Sequence, residues 1–502
     1  MTKESTPVNG TMLQAFEWYV PAGGQHWKHL SSRVDKYAGI GITAMWLPPM
    51  CKASSPEGNG YDIYDVWDLG EFDQKGSRAT KWGPREDLDA LCRKAHSAGV
   101  DIYADAVLNH KAAADSLEKC MVVKNDPEDR TKVISDPFEI NAWVGFDFPG
   151  RGDKYSAMKW HWHHFTGTDY DDNTKETAIY QILGDNKHWA SEVDREKGNF
   201  DYLMFADIDH NHPEVREDLN KWGVWLARQL SLRGMRFDAV KHFSEEYLIE
   251  FIQNLKEHVR RDFFFVGEFW KDSLDDMNAY LDRMPDETCF SLFDAPLVYN
   301  FSEASQTPEF DLRKIFDNTL VKTRPMSAVT LVMNHDTQPH QALQQPVEGF
   351  FKPLAYAMIL LRAEGYPCVF YGDLEGTSDP EGAEPPACGG QLPDLVLART
   401  LYAYGEQNDY FDDANCLGWV RRGTWDRPDG CAVVLSNAEP GQQRMFVGEE
   451  HAGEVWTDVL GWEPNAATVG DDGFAEFSCP GTSVAVFVRE DAPGRDRFSR
   501  SS

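Results

Sequence analysis

The alternation of strands with helices limits most what this chain can fold into. Eight short apolar segments read as strands: MLQAFEW (12–18), ITAMWLP (42–48), VDIYADAVL (100–108), GMRFDAV (234–240), FFFVGEF (263–269), CFSLFDA (289–295), AVTLVMN (328–334) and PCVFYGD (367–373). Amphipathic patterns predict helices over 84–98, 213–234, 244–260, 310–321 and 349–363. Nearly continuous apolar strands that alternate with helices build a parallel sheet. Eight units predict an α/β fold, a closed (β/α)8 TIM barrel. The clearest helix is 213–234. Pro213 suits its first turn, Glu214 and Glu217 suit its positive end, and Gly234 is its expected stop. Val215, Leu219, Trp222, Leu226 and Leu230 form its apolar stripe.

Two regions break the rhythm. The stretch between strand three and the helix at 213 is too long for a loop and predicts an inserted subdomain. After residue 396, short segments such as CAVVLSN and SVAVFVRE, parted by Gly, Pro and Asp, predict a C-terminal antiparallel β-sandwich. The expected layout is a barrel over 1–110 and 206–396, an insert over 111–205, a sandwich over 397–491 and a disordered tail over 492–502.

Charge narrows the partners. Lys+Arg is 49 against Asp+Glu 82, a net charge of −33. Nucleic acids and anionic lipid surfaces are therefore excluded as partners, whereas a neutral substrate or a cation is not. The 16 Trp can pack a core or stack on the flat faces of sugars. MTKESTPVNG holds no apolar run, so no secretory leader is expected, and no apolar stretch is long enough for a membrane span. The nine cysteines are odd in number and lack paired spacing. Cys51, Cys92 and Cys120 read as small buried hydrophobes. A reduced, cytoplasmic, monomeric enzyme without disulfides is expected.

In barrels of this kind reactive groups ride on the C-terminal ends of the strands. Asp105, Asn109 and His110 lie at the third, Arg236, Asp238, Lys241 and His242 at the fourth, Glu268 at the fifth, and Asn334, His335 and Asp336 at the seventh. One such acid alone could be a helix cap or an ion-pair partner. Clusters on four strands point to shared chemistry, and glycoside cleavage needs this kind of set. Arg236 and Asp238 stand two apart on one strand face, so the guanidinium would hold the carboxylate charged and aimed. Apolar neighbours in FFFVGEFW would keep a proton on Glu268. Asp336 could grip sugar hydroxyls.

DAVLNH (105–110), GMRFDAVKH (234–242), VGEFW (266–270) and MNHD (333–336) together resemble the four ordered signatures of the α-amylase family of retaining glycosidases. LQAFEWYVPAGGQHW, NGYDIYDVWDLGEF, DYLMFADIDHNHPEV and YPCVFYGD resemble its liquefying bacterial members, and the likeness runs to about residue 490. The resemblance implies Asp238 as nucleophile, Glu268 as acid/base and Asp336 as third carboxylate. It implies Tyr61 stacked on the sugar, His110, Arg236 and His335 bonded to it, and Lys241 and His242 on the leaving-group side. The implied activity is endo-hydrolysis of α-1,4-glucans: starch, glycogen or maltooligosaccharides.

DYLMFADIDHNHPE (201–214) is dense in hard oxygen donors suited to calcium. By the resemblance, Asn109, Asp201, Asp207 and the His242 carbonyl hold one Ca2+. Liquefying relatives often carry a calcium–sodium–calcium row, but Thr166 and Ala190 stand where it needs aspartates, and Asn211 where an aspartate is usual. One calcium is therefore expected. HWHH (161–164) reads as a stacking or packing run rather than a transition-metal site. Three other readings stay open: a 4-α-glucanotransferase with the same acids, a non-catalytic carbohydrate-binding barrel, and a metal-dependent hydrolase.

Overall fold

The computed structural model describes residues 5–286 and 289–499. The first four residues and the last three, the end of the tail expected to be disordered, lie outside it.

Eight parallel strands close into a barrel: β1 (Met12–Gln14), β2 (Ala44–Trp46), β3 (Asp101–Ala106), β4 (Gly234–Phe237), β5 (Phe264–Gly267), β6 (Phe290–Phe293), β7 (Ala328–Leu331) and β8 (Tyr366–Phe370). Each pairs with its neighbours in chain order, and β8 closes on β1 through Met12↔Cys368. Every strand ends earlier than its apolar run. The residues past each end leave the ladder, which frees their side chains for the mouth of the barrel.

Helix Pro213–Leu230 buries the whole predicted stripe, Val215, Leu219, Trp222, Leu226 and Leu230. It stops before Gly234. Ser231 takes the left-handed C-cap at φ 51, and Gly234 instead opens β4. A Cβ on Gly234 would lie 2.7 Å from the Tyr103 ring and 2.8 Å from the Phe264 carbonyl oxygen, so strand packing requires the glycine. The helix expected over 310–321 does not form. Glu309 and Asn318 take positive φ of 54 and 56, leaving a short turn at Leu312–Lys314 and one helical turn at Leu320–Thr323. Helices at Leu274–Arg283 and Ala295–Gln306, unread in the sequence, start on the side-chain caps of Ser273 and Asp294.

The insert is a six-stranded sheet with His110–Lys111 at one edge and Ala206–Ile208 beside it. Those two segments pair antiparallel, Ala206↔Lys111 and Asp207↔His110, so the points where the chain leaves and rejoins the barrel are stitched together. The C-terminal region is a six-stranded antiparallel sheet faced by a two-stranded antiparallel sheet, Gly441–Phe446 with Phe474–Cys479. Val420, Ala432, Val434, Met445, Phe477 and Phe487 fill the space between. Among the described residues no helix is long and apolar enough to cross a membrane.

The expectation of a disordered tail is corrected for its described part, residues 492–499. Phe498 is buried and stacks on Tyr402 at 6.1 Å, and Ser499 N–H donates to Asp394 at 3.1 Å. An aromatic side chain within a polar sequence anchors the segment. Phe498→Ala should destabilise the protein by about 3 kcal/mol, read as an earlier thermal transition in calorimetry. An unchanged transition would mean that the docked segment contributes nothing.

Candidate active site

Strand register builds the centre of the mouth. Arg236 on β4 lies directly opposite Asp105 on β3. Its guanidinium, 1% exposed, reaches three carboxylates: Nη1 donates to Asp105 and Asp238, both at 2.8 Å, and Nη2 to Glu268 at 2.5 Å. Asp238 follows β4 and is tied back by its N–H to Ala106. Ala239 then turns left-handed at φ 51 and ψ 40, and its N–H also meets Glu268 at 3.3 Å. Glu268 follows β5, its N–H bonded to Phe237. The arginine and its acids thus come from three adjacent strands.

Asp105 anchors this centre. Besides Arg236 it accepts from Tyr61 OH at 2.9 Å and Trp46 Nε1 at 3.0 Å. The sequence marked it only as a strand-end acid. A donor on each of three elements makes it the post that fixes guanidinium and tyrosine together. Burial pushes its carboxyl up to about 6. Burial also pushes Glu268 up to about 8 against the pull of Arg236, and Asp336 up to about 7.

Histidine roles follow from their partners. Gln14 Nε2 donates to His335 Nδ1 at 3.0 Å, so the ring proton sits on Nε2. Nε2 lies 3.2 Å from Asp336 and makes no well-aligned hydrogen bond. It is free to donate to a ligand. His335 lies parallel to Tyr61 at 4.9 Å and to Trp18 at 6.1 Å, forming an aromatic floor. Gln14 and Trp18 were not marked in the sequence; both lie in the first apolar segment, where nothing separates a site residue from a core residue. His110 is fully engaged: Asn109 Nδ2 donates to its Nδ1 at 3.2 Å, and its Nε2 donates to the Tyr61 carbonyl at 2.7 Å. His242 is buried against Phe200, whose carbonyl takes its Nδ1–H at 2.8 Å. Lys241 meets the Trp270 carbonyl at 3.2 Å and lines a cavity of about 460 Å³ with Asp194, Lys271 and Tyr280.

The hard-donor cluster lies at the stitched junction of insert and barrel. The Asp207↔His110 pairing and the Ile208 N–H bond to the Asn109 carbonyl at 3.0 Å set Asn109 beside Asp207. Asn109 Oδ1 is buried without a partner. Asp201 and Asp207 are buried carboxylates; burial first raises both carboxyls, with the charges of Asp209 and Glu192 adding to the rise of Asp201 to about 7 and that of Asp201 adding to the rise of Asp207. A partnerless buried amide oxygen at a junction that also buries two carboxylates fits a hard divalent cation.

The profile described as "Alpha amylase, catalytic domain" matches residues 20–421. An α-amylase of Bacillus licheniformis is 44% identical over 96% of this chain and 94% of its own. A cytoplasmic α-amylase of Escherichia coli is 41% identical over 96% of this chain and 99% of its own. A Geobacillus thermoleovorans α-amylase solved with acarbose superposes with a TM-score of 0.64 at 18% identity, covering 96% of this chain and 98% of that one.

Arg236→Met would leave Asp105, Asp238 and Glu268 buried without their shared cation. A loss of about 3–5 kcal/mol is expected, measured by thermal unfolding. It should be larger at alkaline than at acidic pH, because the acids can then escape by taking up protons. An unshifted transition would show that the guanidinium does not hold the site.

Proposed function

The chain belongs to the α-amylase family and is a glycoside hydrolase, and from that premise we propose that it cleaves internal α-1,4-glucosidic bonds of starch, glycogen or maltooligosaccharides by double displacement. The observation that carries this reading is the single guanidinium of Arg236 touching Asp238 and Glu268 at once.

In this reading a glucose ring lies on Tyr61. Asp238 attacks its anomeric carbon while Glu268 gives its proton to the departing glycosidic oxygen. A carboxyl raised to about 8 holds that proton at neutral pH. Once the leaving sugar departs past Lys241 and His242, Glu268 takes a proton from water. The hydroxide equivalent releases the sugar from Asp238, so configuration is retained. Asp336 and His335 Nε2–H grip ring hydroxyls as the oxocarbenium character develops, and His110 and Arg236 frame the same ring. Nine free cysteines, eight of them buried, support a cytoplasmic location.

One calcium completes the proposal, held by Asn109 Oδ1, Asp201, Asp207 and the His242 carbonyl. When bound it supplies charge balance that ties the insert to β4. Two contacts argue for a single ion. The Thr166 hydroxyl donates to Asp207, and the Ala190 N–H donates to Asp201 at 2.9 Å. Neutral donors thus cap the acids where further carboxylates would call in more metal. The Lys187 ammonium meets Asp209 at 2.9 Å and neutralises the third acid of the loop.

Asp238→Asn and Glu268→Gln should each lower kcat by at least about 10³-fold with the fold intact. Near-wild-type turnover in either would refute the roles. The alkaline limb of kcat/KM should fall through about pH 8, as Glu268 loses its proton. On one pure maltooligosaccharide, shorter products alone are expected; longer chains would favour glucanosyl transfer. Metal analysis after dialysis should find one calcium per chain, and its removal by chelator should lower the unfolding temperature. Two or more tightly bound calcium ions would contradict the single site.

A further inference from the structure

A second group of metal-binding side chains lies at another point of the same junction. His163, His164, His212 and Glu214 each place a ligand-capable atom within 4.8 Å of the others. His163 and His164 belong to a short turn of the insert, Trp162–His164, and His212 and Glu214 to the start of the barrel helix Pro213–Leu230. The rings sit close: His163 to His164 at 4.1 Å, His164 to His212 at 4.6 Å and His163 to His212 at 5.5 Å. The backbone beneath is fixed. Asp209 N–H bonds to the His164 carbonyl at 2.9 Å, and His212 N–H to the Asp209 carbonyl at 3.0 Å. Glu118 holds the turn from the other side, accepting from the Trp162 N–H at 2.7 Å.

The four groups do not play equal parts. His164 Nδ1 accepts the His161 N–H at 2.9 Å, so its proton is on Nε2, which donates to Glu214 Oε2 at 3.1 Å. A ring so fixed has no free lone pair for a metal, but it orients the carboxylate beside it, as partners of metal ligands commonly do. The His212 Nδ1 atom is buried and has no hydrogen-bond partner. His163, His212 and Glu214 then offer two imidazoles and one carboxylate, a set that suits zinc with water in the remaining position. Imidazole donors favour such an ion over calcium.

We propose that His163, His212 and Glu214 bind one divalent transition-metal ion, zinc by chemical class, with His164 as the residue that positions Glu214. The ion would clasp the insert to the barrel helix at a place distinct from the Asn109, Asp201 and Asp207 cluster. None of its ligands contacts Asp238, Glu268 or Asp336 among the described residues, so it acts on stability and not on the reaction.

Zinc chloride titrated into the full chain with calcium saturating should bind one equivalent by calorimetry and raise the unfolding temperature. Cobalt(II) in its place should give the visible spectrum of a low-coordinate nitrogen and oxygen site. His163→Gln and Glu214→Gln change partly or fully exposed side chains, and each should weaken zinc binding at least about tenfold while leaving metal-free activity unchanged. Absence of stoichiometric zinc binding, or equal affinity in both variants, would overturn the assignment.

Discussion

The buried Arg236 guanidinium is the interaction on which the mouth of the barrel depends. A cation with 1% exposure is tolerable only if fully paired, and three carboxylates from three adjacent strands pair it. Removing any strand from register would separate the set, so barrel closure and assembly of the site are one event. The same contacts divide the acids by task. Asp105, with a tyrosine and a tryptophan also donating to it, is a structural post. Glu268 sits where burial outweighs the nearby positive charge and favours its protonated form.

The junction between insert and barrel is the second constraint. A two-residue ladder brings the chain back to within bonding distance of its point of departure. That closure crowds Asn109, Asp201, Asp207 and Asp209 into one buried place, and each negative charge there has an answer in the structure or calls for a cation. Lys187 answers Asp209. The remaining pair of carboxylates and the orphaned amide oxygen leave room for one hard ion. A short run of backbone then carries the chain to His212 and Glu214, so both proposed metal groups hold the insert to the barrel.

The barrel was legible in the sequence because its signal is repeated: eight apolar runs alternate with helical patterns, and four of them carry polar, chemistry-bearing ends. The strands stop short of those runs, which is why Asp238, Glu268 and the residues after β7 are free of the ladder. The helix stripe from Val215 to Leu230 was equally plain. Harder to read were features that depend on distant partners. Gly234 looked like a helix stop but is a packing requirement set by Tyr103 and Phe264. The periodic stretch 310–321 is preceded by Glu309 and interrupted by Asn318, two non-glycine residues with positive φ. Phe498 gave no sign of its docking because Tyr402 lies far away in sequence. Within the site, Gln14 sets the His335 tautomer from the first strand, in a run indistinguishable from core. HWHH read as packing; its proximity to His212 and Glu214 arises only once the insert folds against the helix.

In the proposed mechanism Arg236 presents Asp238 to the anomeric carbon of a bound glucose. Slow-reacting fluorinated α-glucosyl fluorides trap the covalent intermediate of a retaining glycosidase. Mass spectrometry of the trapped, digested protein should place the sugar on the peptide that contains Asp238, with one sugar per chain. Labelling of another carboxylate, or turnover with no trapped species and inverted product, would contradict that role of Asp238.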